Sequence, residues 1–217
     1  MITHLELKNF GPLESIVWKK LGPINLVIGG NGSGKTFLLK ALYSAMRTLE
    51  EYKRGDEQRN AAEILADKLY WTFQPEKIGD LASKGADTNL SFRLGVDGDE
   101  FCYSFGKDTT KTISSLENHV PQRASNSIFL PAKEVLSLHN IILKSRETDM
   151  QFVLATHSYF VVKKLFLIAQ EKGISIPVLS FEGAVWRSYD LKDGMPDNPI
   201  ITESIRLYEE EVNLSLT

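Results

Sequence analysis

Apolar and polar positions alternate at Ile2, Leu5 and Leu7 and again at Ile16 and Trp18, on either side of the turn-prone run Asn9-Phe10-Gly11-Pro12, which predicts two short strands in a hairpin or meander. Gly22-Pro23 marks a second turn, and Ile24-Asn25-Leu26-Val27-Ile28 is a mostly apolar strand that runs straight into a glycine-rich loop. From Lys35 onward Leu38, Leu42, Ala45 and Leu49 recur at helical spacing, predicting an amphipathic helix to about residue 53. The mixed charges from Glu50 to Arg59 read as a solvated helix end and turn. A second helix is expected over about 57 to 71. Two β-rich runs follow, 88–94 and 100–105, and Asp97-Gly98 between them favours a tight hairpin.

Farther along, Ser127 to Leu130 reads as a short strand stopped by Pro131, and Glu134 to about Lys144 as a helix. Gln151 to Ala155 is a buried-looking strand, followed by a helix from Ser158 to about Lys172 with Gly173 at its C′ position. Strands are expected near 178–181 and 185–191. A closing helix starts with Asn198 as N-cap and Pro199 at its first position, with Ile201, Ile205, Tyr208 and Val212 on one face. Strands alternating with helices, plus an antiparallel insertion, make this an α/β chain.

Composition changes this picture little. The 217 residues carry 42% hydrophobic and 24% charged residues, which fits a globular chain and excludes disorder and disulfide scaffolds. Lys and Arg number 25 against 28 Asp and Glu, so nucleic acid is a possible partner that the charge does not indicate. Cys102 stands alone, as in a reducing compartment, and is expected as a small buried hydrophobe on a strand. The opening residues lack a signal-peptide pattern and no apolar run is long enough to span a bilayer, so a cytoplasmic chain without membrane contact is expected.

The candidate chemistry lies in Gly29-Gly30-Asn31-Gly32-Ser33-Gly34-Lys35-Thr36, which satisfies G-x-x-x-x-G-K-[ST] between an apolar strand and an amphipathic helix. Glycines let successive backbone N–H groups converge on an anion, and the helix N-terminus adds its positive end. Lys35 brings a mobile cation to the β- and γ-phosphates of a nucleotide, and the Thr36 hydroxyl is placed to ligate Mg²⁺. A nucleoside polyphosphate with Mg²⁺ is therefore the expected ligand, and the loop, which reads phosphates, leaves the base open.

With Leu5-x-Leu7-Lys8-Asn9-Phe10-Gly11-Pro12 ahead of the phosphate loop, the first 50 residues resemble the N-terminal half of an ABC-type ATPase head, and more narrowly the SMC-like and OLD-like ATP-binding proteins of bacteria. Phe152-Val153-Leu154-Ala155-Thr156-His157-Ser158 resembles the switch strand of that group, and 191–200 resembles its C-terminal end. The resemblance implies a single P-loop NTPase head over 1–217. Its parts would be 1–55 with the loop and first helix, 56–150 with the antiparallel subdomain, and 151–217 with the switch strand and C-terminal α/β part. It implies that His157 contacts the γ-phosphate and the attacking water, and that a glutamine senses Mg²⁺, for which Gln74 in Phe73-Gln74-Pro75 is the candidate. It further implies ATP hydrolysis, ATP-dependent homodimerisation, and control of a partner effector such as a nuclease or toxin in DNA transactions or phage defence.

Two elements of that pattern are absent. No apolar run ends in the Asp-Glu pair that would position Mg²⁺ and activate water, and Ser137 in Val135-Leu136-Ser137-Leu138-His139 lacks the glycine of a Leu-Ser-x-Gly signature. Glu147 and Asp149 do not end an apolar strand and are poor substitutes. A segment missing near 147–151, a shortened chain, or a strand from another chain would each account for this, and we favour the first. Turnover by the chain as it stands is therefore in question. A non-catalytic nucleotide-binding module and a small-molecule or nucleotide kinase remain the alternatives.

Overall fold

The computed structural model describes residues 1–55, 59–124, 127–129, 150–183 and 185–215. The chain divides into two compact units, one made of 1–20 and 36–131 and the other of 21–35 and 132–217.

The first unit holds a five-stranded antiparallel sheet built from β1 (Ile2–Phe10), β2 (Leu13–Lys19), β4 (Leu90–Val96), β5 (Asp99–Phe105) and β6 (Ser115–Asn118), in the order β2-β1-β4-β5-β6. Period-two alternation sends Leu5, Leu7, Ile16, Trp18, Phe92, Leu94, Phe101 and Tyr103 inward, all buried. Burial pushes the Tyr103 phenol far above its ordinary pKa, so it stays neutral. Asp97 and Gly98, at φ 53° and 97°, supply the left-handed pair of a tight β4–β5 turn, as the Asp-Gly pair predicts.

Helix α1 (Lys35–Glu51) belongs to this unit from Thr36 onward and buries Leu38, Ala41, Leu42, Ala45 and Leu49. Helix α2 (Ala61–Phe73) starts at Ala61 and not near 57, because Asn60 and Glu63 form a reciprocal capping box there. A 3-10 turn, Ile78–Leu81, and the short β6 were not anticipated.

Three local expectations need correction. Glu50 is fully buried and not solvated, since Arg47 and the backbone N–H and hydroxyl of Ser127 satisfy its carboxylate. Ser127 spends its N–H on Glu50, and residues 127–129 form no strand. Cys102 lies on β5 but is only half-buried, in one cross-strand row with Arg93 and Glu117. The helix expected at 134–144, Leu130, Ser137, Glu147 and Asp149 lie outside the described residues, as does most of the suspected joint at 147–151.

The second unit holds a mixed sheet of β3 (Ile24–Gly29), β7 (Phe152–Thr156), β8 (Pro177–Glu182) and β9 (Val185–Asp190), in the order β7-β3-β8-β9. β3 is parallel to both neighbours and every one of its residues is buried, while β9 returns antiparallel along β8. Helix α3 (Tyr159–Lys172) packs on one face, and α4 (Pro199–Ser215) adds Ile201 to the same core. There Leu26, Ile28, Val162, Leu165, Ile168, Val178 and Ile201 form a single cluster. Gly173 ends α3 in the left-handed conformation, as expected. Among the described residues no helix is long and apolar enough to cross a membrane.

Candidate functional site

Because β7, β3 and β8 run parallel, their C-terminal ends share one edge of the sheet, where ligands of open α/β sheets gather. Ile28 is level with Thr156 and Gly29 with Phe181, so the chain leaves β3 for the glycine loop beside the Thr156-His157-Ser158 turn on one side and the end of β8 on the other. This edge carries seven of the eight residues of the phosphate-loop motif, from Gly29 to Lys35; Thr36 is the next residue along α1.

Buried polar groups brace the sheet at both ends, Asn25 where β3 and β7 begin and Asn198 where β8 ends beside the loop. Asn25, within β3 and fully buried, accepts from the Gly22 N–H at 2.8 Å and donates to the Gly22 and Phe152 carbonyls at 2.7 and 3.2 Å. It ties the strand that launches the loop to β7. Asn198 caps α4 by accepting from the Ile200 N–H at 3.1 Å, and its amide donates to Ser180 Oγ at 2.9 Å and the Phe181 carbonyl at 3.1 Å. The expected N-cap thus also braces β8 beside the loop. Asn25 escaped the sequence reading; its only signal is an amide inside an otherwise apolar strand.

Gly29 sits at φ 152° where a Cβ would fall 2.8 Å from Phe181 Cβ and 2.9 Å from Ser33 Oγ, so only glycine fits between β8 and the loop. Gly32 and Gly34 follow at φ 77° and 89°. Apart from their own chain neighbours, no atom of the described residues lies within 4 Å of a Cβ position at Gly30 or Gly32, and this rim of the loop is open among those residues. Lys35 Nζ donates to the Gly29 and Gly30 carbonyls, each at 2.6 Å, and lies 3.3 Å from Ser33 Oγ. Burial holds its ammonium below the ordinary lysine pKa. Asn31 and Thr36 are exposed, and α1 carries no acidic residue in its first turn, so no side-chain carboxylate there offsets its positive end. The donors, the open rim and the left-handed glycines suit a polyphosphate.

His157 is exposed at the end of β7, where the Thr156 hydroxyl accepts from the Ser158 N–H at 3.0 Å and sets the turn into α3. Gln74 lies in the first unit. It ends α2 in the left-handed conformation, exposed, with its N–H on the Tyr70 carbonyl. Among the described residues no three His, Cys, Asp or Glu side chains gather to hold a metal ion. A shallow concavity of about 490 Å³ lies elsewhere, over the polar face of the antiparallel sheet around Lys8, Arg93, Ser104 and Glu117, and no sequence candidate lines it.

No family model matches the chain. Over 42 residues it is 43% identical to the DNA replication and repair protein RecF of Pseudoalteromonas translucida (strain TAC 125), a stretch that is 19% of this chain and 12% of that protein. Among solved structures, the recombination mediator protein RecF with ATP, from the RecFOR pathway, aligns with a TM-score of 0.37 and 15% identity over 80% of this chain and 44% of that one. The chain is a mixed α/β protein that carries a phosphate-loop motif and a short stretch of similarity to RecF.

Proposed function

We propose that the chain binds Mg·ATP at Gly29 to Thr36 and is an ABC-type ATP-binding head of the SMC-like and OLD-like kind, with both units belonging to that one head. The observation that carries this reading is the glycine loop and Lys35 at the shared C-terminal edge of three parallel strands, with Thr156-His157-Ser158 in register beside it. The short similarity to RecF supports it. In this reading the backbone N–H groups from Gly30 to Gly34 and the start of α1 bind the phosphates, and Lys35 exchanges its contacts with the Gly29 and Gly30 carbonyls for phosphate oxygens. The Thr36 hydroxyl holds Mg²⁺ and Gln74 senses it. Bound Mg²⁺ supplies neutralisation of charge on the β- and γ-phosphate oxygens. His157 orients the γ-phosphate and the attacking water. ATP-dependent pairing of two heads would then control an effector such as a nuclease or toxin in the cytoplasm, in a DNA transaction as the name of RecF indicates for that protein, or in phage defence.

Calorimetric titration of Mg·ATP into the wild type and Lys35→Ala tests the core of this reading. Loss of the charge-assisted contact is expected to cost about 1.5–3 kcal/mol, a weakening of tenfold or more. Unchanged affinity would overturn the assignment.

One observation favours a second reading, a nucleotide-binding module without turnover. The strands flanking β3 end in Ala155-Thr156 and Phe181-Glu182, and no Asp-Glu pair ends any described strand. Phosphate release by the wild type that falls in His157→Ala, with ATP affinity retained, would support the ATPase; absence of release at saturating Mg·ATP would support the module.

A further inference from the structure

In the first unit the start of α1 is held by a side chain that follows the motif. The ring of Phe37 is 5.4 Å from that of Phe10 at 74° and 4.5 Å from that of Phe73 at 50°. Phe10 also meets Phe73 edge-on at 5.7 Å and Phe92 at 6.4 Å, so four rings from β1, α1, α2 and β4 form one cluster. Gly11 closes the remaining side. A Cβ there would fall 2.3 Å from Phe37 Cζ and 2.6 Å from Cε1, so the ring rests directly on the backbone of the β1–β2 turn. That backbone is itself fixed: the Gly11 N–H donates to the Leu81 carbonyl at 2.7 Å, its carbonyl accepts from Ser83 Oγ at 2.6 Å, and its φ of 56° is left-handed.

The first turn of a helix has no intrahelical partners for its N–H groups and frays unless something holds it. A long helical side chain leans back toward the N-terminus, so the ring of Phe37 lies over the turn that contains Thr36. Locking that ring on three sides fixes the rotation of the turn, and with it the direction of the Thr36 Cα–Cβ bond that carries the hydroxyl. We propose that Phe37 is a positioning residue for metal binding: held by Phe10, Phe73 and Gly11, it orients the Thr36 hydroxyl before Mg²⁺ arrives. The inference rests on the reading of Thr36 given above. Gly29 is seated against Phe181, and Lys35 Nζ on the Gly29 and Gly30 carbonyls, by contacts within the second unit, so loosening the ring falls mainly on the metal-dependent part of the affinity.

The test is titration of the full chain with ATP, once with Mg²⁺ and once with EDTA, taking the ratio of the two dissociation constants as the metal-dependent gain. Thr36→Ala is expected to remove the gain. Phe37→Leu and Phe73→Leu are each expected to reduce it at least threefold, with affinity in EDTA kept within twofold. Phe73→Leu loosens the ring without changing α1, and circular dichroism with thermal melting verifies that each variant is folded. A gain unchanged in both leucine variants, equal weakening with and without Mg²⁺, or no gain in the wild type would overturn the proposal. Lys35→Ala separates the two levels. Unchanged ATP affinity in that variant would mean that the phosphate-loop reading has failed, whereas weakened affinity there with an intact gain in Phe37→Leu would overturn the positioning role alone.

Discussion

The two sheets solve opposite problems. In the antiparallel sheet of the first unit, strands such as β4 alternate buried and exposed positions, from Leu90 to Leu94, and its tight β4–β5 turn is set by residues adjacent in sequence. In the mixed sheet of the second unit, β3 is buried on both faces and each of its neighbours comes from more than 100 residues away in the chain. The first arrangement builds a scaffold from local patterns. The second assembles a site, because parallel strands must end on one edge wherever in the chain they come from.

Truncating one buried residue in each sheet puts the contrast to its hardest test. Phe101→Ala is expected to cost about 3–5 kcal/mol and Leu26→Ala about 2–5 kcal/mol in denaturant unfolding, since both side chains are wholly buried. ATP titration at a temperature where both are folded should separate them. Leu26→Ala, in the strand that launches the loop, should weaken binding, while Phe101→Ala should leave it within twofold. Equal weakening by both would break the division of labour between the sheets.

A smaller effect is expected at the scaffold's own caps. Asn60→Ala removes the acceptor for the Glu63 N–H at 2.9 Å and should cost about 1 kcal/mol, read as a shift in the unfolding midpoint without change in ATP affinity. The smallest is electrostatic. Burial pushes the Glu51 carboxyl up, but Lys68 at 2.7 Å and Arg47 at 2.8 Å outweigh it and hold the group below the ordinary carboxylate range. Its stabilising contribution is therefore present at neutral pH and disappears as the pH falls through that lowered value. Glu51→Gln should flatten the acid limb of the stability profile, and an unchanged limb would show that the pair contributes nothing.

Much of this was legible from residue order. The glycines, Lys35 and Thr36 are contiguous, so the loop could be found without knowing its neighbours, and Asp97-Gly98, Gly173 and Asn198 announce their turns and caps by local backbone chemistry. Glu50 looks solvated in a run of mixed charges, and only the fold brings Arg47 and Ser127 around it. Phe37 gave no signal at all, since an aromatic residue in an amphipathic helix is ordinary. Its partners Phe10 and Phe73 lie 27 and 36 positions away in the sequence.

Short-range periodicity and turn chemistry therefore determined the elements, because dihedral preferences and alternation act over a few residues. Tertiary structure alone decided which strand flanks the loop, that Asn25 locks β3 to β7, and that the ring of Phe37 rests on Gly11. These depend on registers and contacts between distant segments, where burial of apolar surface and pairing of buried polar groups select one arrangement among many that the local patterns permit.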